Sequence, residues 1–161
     1  MKKEEYNFQF DVYASGEELA EADASLLKAA RKVTESAYAP YSHFHVGAVA
    51  RMNDGSLVTG TNQENASYPV GICAERVLLA SASMLHTGVG IDTMAISYHN
   101  KEGDSSKPVS PCGMCRQVLL EYEERTGQHI RLIMSGMEGN VIVLERASQL
   151  LPLSFGSDDL K

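Results

Sequence analysis

The whole chain contains three cysteines, in two short stretches: Cys73-Ala74-Glu75 and Pro111-Cys112-Gly113-Met114-Cys115. Each stretch opens an apolar run with helical spacing, so the fold has to bring two helix starts, 39 positions apart, to one point. A Cys-x-x-Cys pair at a helix start offers two thiolates at one end of an axis, and a third cysteine on another helix start completes three corners of a tetrahedron. Zinc takes thiolate sulfur readily, and a site with three protein ligands keeps its fourth position open for water. An open position implies chemistry more than scaffolding. No thiol is left over for a disulfide, and reducing conditions would keep all three available to metal.

Composition narrows what such a site could serve. The 161 residues suffice for one domain with a sizeable core and are too few to expect two. With 14 Lys and Arg against 21 Asp and Glu, the net charge is -7, which disfavours a long phosphate backbone as partner and suits a small neutral substrate. No early window has the form of a secretory signal, and no apolar run is long enough for a membrane span, so a soluble cytoplasmic protein is expected.

Along the chain, Tyr6, Phe8, Phe10 and Val12 alternate with polar neighbours, which predicts a strand within an N-terminal extension over 1–14. Ser15 to Glu18 has the form of a capping box, and apolar residues from Leu19 to Ala37 predict an amphipathic helix that ends near Ala39, with Asp23 interrupting its stripe. Phe44 to Met52 and Leu57 to Thr61 form a hairpin pattern about a turn at 53–56. Cys73 opens a helix apolar nearly all round through Leu85, which implies burial between a sheet and a second surface. Residues two apart on a helix point in nearly opposite directions, so Cys73 is expected at the cap, from which both it and Glu75 reach one site. Thr93 to Tyr98 predicts a strand, 99–109 an exposed polar loop, and Ile130 to Met134 with Val141 to Leu144 two more strands around a Gly-rich turn. The five histidines are scattered without metal-ligand spacing.

The segments GTNQENASYPVGICAER (residues 60–76) and SPCGMCRQ (residues 110–117) resemble the small homotetrameric cytidine deaminases of the cytidine and deoxycytidylate deaminase superfamily. The resemblance implies a three-layer α/β/α sandwich around a mixed sheet of about five strands, to which the N-terminal strand is an addition. It implies one Zn2+ per chain on Cys73, Cys112 and Cys115, with Glu75 as the shuttle that takes a proton from the attacking water and delivers it to the ring nitrogen and then to the leaving ammonia. Phe44 and Ala74 match residues at the base. Asn62 and Glu64 match the pair that binds the ribose hydroxyls, and an amide and a carboxylate two residues apart on an extended segment do point the same way. Arg76 matches a residue that hydrogen-bonds ligand sulfur and offsets the charge of three thiolates. Phe155 matches a tail aromatic that covers the base in a neighbouring subunit, although an aromatic in a tail can equally be a simple anchor. Met114 stands where the family has a small residue, and the polar loop accounts for an unusually long spacing between Cys73 and Cys112.

The expected activity is hydrolytic deamination of cytidine and deoxycytidine in pyrimidine salvage, by a homotetramer with no nucleic-acid polymer and no membrane as partner. Two other readings compete. One is a deaminase of another free nucleoside or analogue, of the blasticidin type. The other is a structural zinc module, against which stands the lack of a fourth ligand at a convincing spacing. An RNA-editing subunit is disfavoured by acidity and by the absence of a basic, aromatic-rich stretch.

Overall fold

The computed structural model describes residues 1–161. Nine regular elements follow in order: β1 (Asp11–Tyr13), α1 (Glu21–Val33), β2 (Phe44–Met52), β3 (Leu57–Thr61), α2 (Ala74–Leu85), β4 (Ile91–Asn100), α3 (Gly113–Thr126), β5 (Arg131–Gly136) and β6 (Val141–Leu144). The strands form one mixed sheet in the order β1-β6-β5-β4-β2-β3, in which only β4 and β5 pair in parallel. Alternate residues of the central strands serve opposite faces, as the strand period requires. Met94, Ile96, Leu132 and Met134 meet Leu78, Leu79 and Leu119 of α2 and α3, whereas Ala95, Ile133 and Val143 meet Leu26, Leu27 and Ala30 of α1. The architecture is the expected α/β/α sandwich, five strands with an added sixth at the N-terminal edge.

Topology explains why the cysteines meet. Strands β3 and β4 are both antiparallel to β2, so they run the same way and end at the same edge of the sheet. The loop leaving each of those ends starts a helix, α2 or α3, with Cys73 and Cys112 as the respective N-caps in extended conformation. Phe44 begins β2 at this edge, opposite Asn100 at the end of β4, and Asn62 and Glu64 follow directly on β3. Every proposed site residue of residues 44–115 therefore comes from the edge where strand carboxyl ends open, the usual ligand position of α/β sheets.

Several local expectations are corrected. The N-terminal strand is three residues long and pairs with β6 from Asp11 to Tyr13, while residues 1–10 lie outside the sheet. Ser15 caps only a 3-10 turn over Gly16–Glu18, and α1 begins at Glu21 after an uncapped Ala20. Helix α1 ends at Val33, short of Ala39, followed by a 3-10 turn over Thr34–Ser36. Asp23 is buried against the sheet face that α1 covers, where it pairs with Arg131 at 2.7 Å and lies 3.8 Å from Arg51. The loop expected at 99–109 is partly strand, since β4 runs to Asn100. Its middle is clamped on the β5–β6 turn: a Cβ on Gly136 would meet the Ser105 carbonyl at 1.7 Å, so only glycine fits. Helix α2 buries one face, leaving Met84 73% and Leu85 65% exposed within the single chain. No helix is long and apolar enough to cross a membrane.

Candidate active site

The three sulfurs converge. Cys73 Sγ lies 3.7 Å from Cys112 Sγ, which lies 3.5 Å from Cys115 Sγ, and all three fall within 4.8 Å of one another. Zinc–sulfur bonds of about 2.3 Å in tetrahedral geometry require sulfurs roughly 3.8 Å apart, so two of the separations match that ion and the third lies within 4.8 Å. No disulfide joins them, and no histidine or carboxylate completes the cluster as a fourth ligand. Cys115 is buried at the back, Cys73 is half-buried, and Cys112 is exposed.

Charge is shared unequally among the sulfurs. The neighbouring Cys115 thiol, with help from Cys112 and the nearby Arg76 charge, outweighs burial and Glu75 and lowers Cys73 to about 6. Cys115 is pushed far upward, first by the neighbouring Cys73 sulfur and then by burial. Helix N-termini add positive potential at Cys73 and Cys112. One thiolate forms readily at Cys73, and a bound cation would draw out that of Cys115.

Glu75, in the first turn of α2, is buried beside these sulfurs, and burial raises its pKa above the ordinary carboxylate range. It lines a pocket of about 480 Å³ together with Cys73, Cys112, Phe44, Asn62 and Glu64, a volume ordinary for a small-molecule site. The Phe44 ring stacks on Tyr98 with centroids 4.6 Å apart and planes 14° from parallel. Asn62 Oδ1 accepts from the Val46 amide at 2.7 Å and its Nδ2 donates to the Phe44 carbonyl at 2.9 Å, which fixes the amide plane while leaving one N–H uncommitted. Glu64 Oε2 accepts from the amides of Tyr41 (2.9 Å) and Ser42 (3.3 Å). Burial opposes its ionisation, but the hydrogen bonds from Ser42 and Tyr41 prevail and hold it below its ordinary value. The turn that presents those amides carries His43 in the left-handed region, φ 53°, strain of a kind that clusters at functional sites.

The remaining expected residues sit less directly. Ala74 is fully buried under the first turn of α2 and does not line the pocket. Arg76 lies in the groove between α2 and α3, beside Val118, Glu121 and Arg125, and acts on Cys73 by charge without a hydrogen bond to sulfur. Phe155 is exposed, its carbonyl held by Gln117 Nε2 at 2.9 Å, and lies outside its own chain's pocket. Met114 is exposed beside the metal turn and does not narrow the pocket. The sequence reading missed Tyr98, whose role depends on cross-strand stacking, and Ser110, whose position just before Pro111 was the available signal.

A family profile described as the cytidine and deoxycytidylate deaminase zinc-binding region matches residues 20–128. The chain belongs to this family. Among its relatives, cytidine deaminase from Halalkalibacterium halodurans is 38% identical over 135 residues, 84% of this chain and 95% of that one. Cytidine deaminase from Mycobacterium tuberculosis is 37% identical over 143 residues, 88% and 96% of the two chains. The crystal structure of cytidine deaminase from Burkholderia pseudomallei superposes with a TM-score of 0.70 at 37% identity, covering 85% of this chain and all of that one.

Proposed function

We propose that the chain catalyses zinc-dependent hydrolytic deamination of cytidine and deoxycytidine, giving the uracil nucleosides and ammonia, with one zinc per chain on Cys73, Cys112 and Cys115. The observation that carries this reading is a buried carboxylate, Glu75, beside three converging sulfurs on the wall of a nucleoside-sized pocket. Zinc bound there supplies the Lewis acidity that makes water a nucleophile near neutral pH. The rest is done by the chain's own side chains. Phe44, held by Tyr98, gives the base a flat apolar face. Asn62 keeps a donor and Glu64 keeps Oε1 for the sugar hydroxyls. Glu75 takes a proton from the attacking water and delivers it to the ring nitrogen beside the reacting carbon. A second transfer through the same carboxylate, from the added hydroxyl to the amino group, lets ammonia leave as the carbonyl forms. Burial raises its pKa, which makes the carboxylate a stronger acceptor for the water proton and lets it hold that proton until delivery.

Residues 1–161 act in this reading as a single deaminase domain, with 1–14 as an extension and 99–109 as a surface insertion. Arg76 offsets the charge of three thiolates from the α2–α3 groove. Ala74 can serve the base only through its backbone. The chain assembles as a homotetramer in which Phe155 covers a neighbour's base. Support for assembly comes from apolar residues left in water, including Tyr68, Met84, Leu85 and Met114. Three free thiols suit a reducing, cytoplasmic setting.

The test is ammonia release from cytidine, deoxycytidine and free cytosine on protein of measured zinc content. Zinc near one per chain, turnover of both nucleosides, and cytosine slower by about 10⁴ are expected, because a site that hydrogen-bonds a sugar rejects a substrate lacking it. Bound zinc without nucleoside turnover would overturn the assignment.

A further inference from the structure

We propose that Tyr6, Phe8 and Phe10 form an aromatic strap that positions the Pro111–Cys112 turn, and through it the most exposed sulfur of the cluster. The family profile match begins at residue 20, so this segment lies outside the matched region. Its three rings follow one another with centroids 6.2 Å apart at each step. Phe8 and Phe10 close over an apolar recess of about 140 Å³ whose floor is Met134, Ile142 and Leu144 of the sheet, with Leu150 at its side. These residues lie on the α2–α3 face, and the strap covers them where neither helix does.

Two connections lead from the strap to the metal turn. The first is Ser110, which borders both the strap recess and the main pocket and so forms the wall between them. The second runs through hydrogen bonds. The Tyr6 hydroxyl donates to the Gln149 carbonyl at 3.1 Å, and the next residue's carbonyl, Leu150, accepts from Arg116 Nη1 at 3.1 Å. Arg116 Nε in turn donates to the Pro111 carbonyl at 2.8 Å. The strap thus grips the 149–150 turn from one side, while Arg116 ties that turn to Pro111 from the other. Cys112, the adjoining residue and the N-cap of α3, is the exposed member of the sulfur set and has the least packing of its own to fix it. Tyr6, Phe8 and Phe10 are positioning residues, remote from substrate.

The inference rests on reading the three cysteines as a metal set. Its test uses the full-length chain carrying Phe8→Ser and Phe10→Ser together, beside a conservative double variant with leucine at both positions. Zinc release into excess chelator and site-resolved amide hydrogen exchange are measured on each. The serine pair should release zinc about tenfold faster, at the low end of the effect of removing groups that support metal ligands. Exchange should rise within 108–116 and 147–151 while β2 and β4 stay protected, and leucine should restore most of both. Unchanged release and exchange would overturn the proposal. So would a uniform rise in exchange across β2 and β4, which marks general loss of stability. A wild-type chain that takes up no zinc would sink the metal reading instead, and exchange on metal-free protein would still decide the strap.

Discussion

Gly60→Ala should damage the site from behind, without touching a catalytic group. Gly60 lies on β3 directly under the first turns of α2, where an added Cβ would stand 2.3 Å from the Ala74 carbonyl oxygen, 2.6 Å from the Leu78 nitrogen and 2.9 Å from the Leu78 Cβ. None of these atoms can swing away, since two are backbone and the third is fixed by it. Ordinary contact is roughly 3.5 Å, so strand and helix must part by about 1 Å. Overpacking of this kind costs about 1–3 kcal/mol, and the upper end applies because no flexible neighbour yields. The displaced element carries Cys73 and Glu75, while Cys112 and Cys115 ride on α3. A misplacement of about 1 Å at the reacting groups costs about 10²-fold in rate. Urea unfolding and kcat on zinc-loaded protein measure the two effects, with Thr59→Ala on the same strand as a control that should stay within about 0.5 kcal/mol. Stability and kcat both unchanged in Gly60→Ala would show that α2 does not need this contact to hold the site, and would refute the reasoning.

Three further outcomes are expected. Metal-free wild type should lose stability relative to metal-free Glu75→Gln as pH rises. The raised Glu75 pKa makes the folded state the better proton binder above the ordinary carboxylate range, so this contribution is present at low pH and lost through the folded pKa; parallel unfolding curves from pH 5 to 9 would contradict this. Glu123→Ala strips the acceptor from the amides of Ile130 (2.7 Å), Ala147 (3.1 Å) and Ser148 (3.3 Å), and should cost at least about 3 kcal/mol in urea unfolding; a loss under about 1 kcal/mol would rule out this clamp. Asn62→Asp keeps the acceptor for Val46 but sets a carboxylate oxygen against the Phe44 carbonyl, so KM for cytidine should rise about tenfold, the equivalent of one missing hydrogen bond. An unchanged KM would remove Asn62 from sugar binding.

The parts of the molecule legible in sequence are those whose signal is local. The β2–β3 hairpin and the capping position of Cys73 follow from patterns that span a few residues each, and the sulfur cluster from two such local motifs that the fold brings together. Asp23 was opaque because its partners, Arg131 and Arg51, come from distant strands. Glu123 carried no signal either, since a buried carboxylate that binds three backbone amides looks like any charged residue on a helix. The alternation from Tyr6 to Val12 correctly indicates an extended chain with one apolar side. It cannot say whether a partner strand is within reach, and β6 ends at Leu144, opposite where Phe10 would stand. Ser15 has the composition of a helix cap, yet the α-helix waits until Glu21 because Leu19 turns into the α1-side core in extended conformation. The exposure of Met84 and Leu85 departs from the all-round burial expected of α2, since sequence records that a face is apolar without saying what covers it.

The central claim is that Glu75 moves the protons of a deamination carried out beside the three-cysteine cluster. The most direct measurement is cytidine turnover by Glu75→Gln, with zinc quantified in the same sample. The glutamine fits the same buried position but cannot accept and return a proton, so the rate should fall by at least about 10²-fold while zinc stays near one per chain. Wild-type turnover at full zinc occupancy would contradict the account.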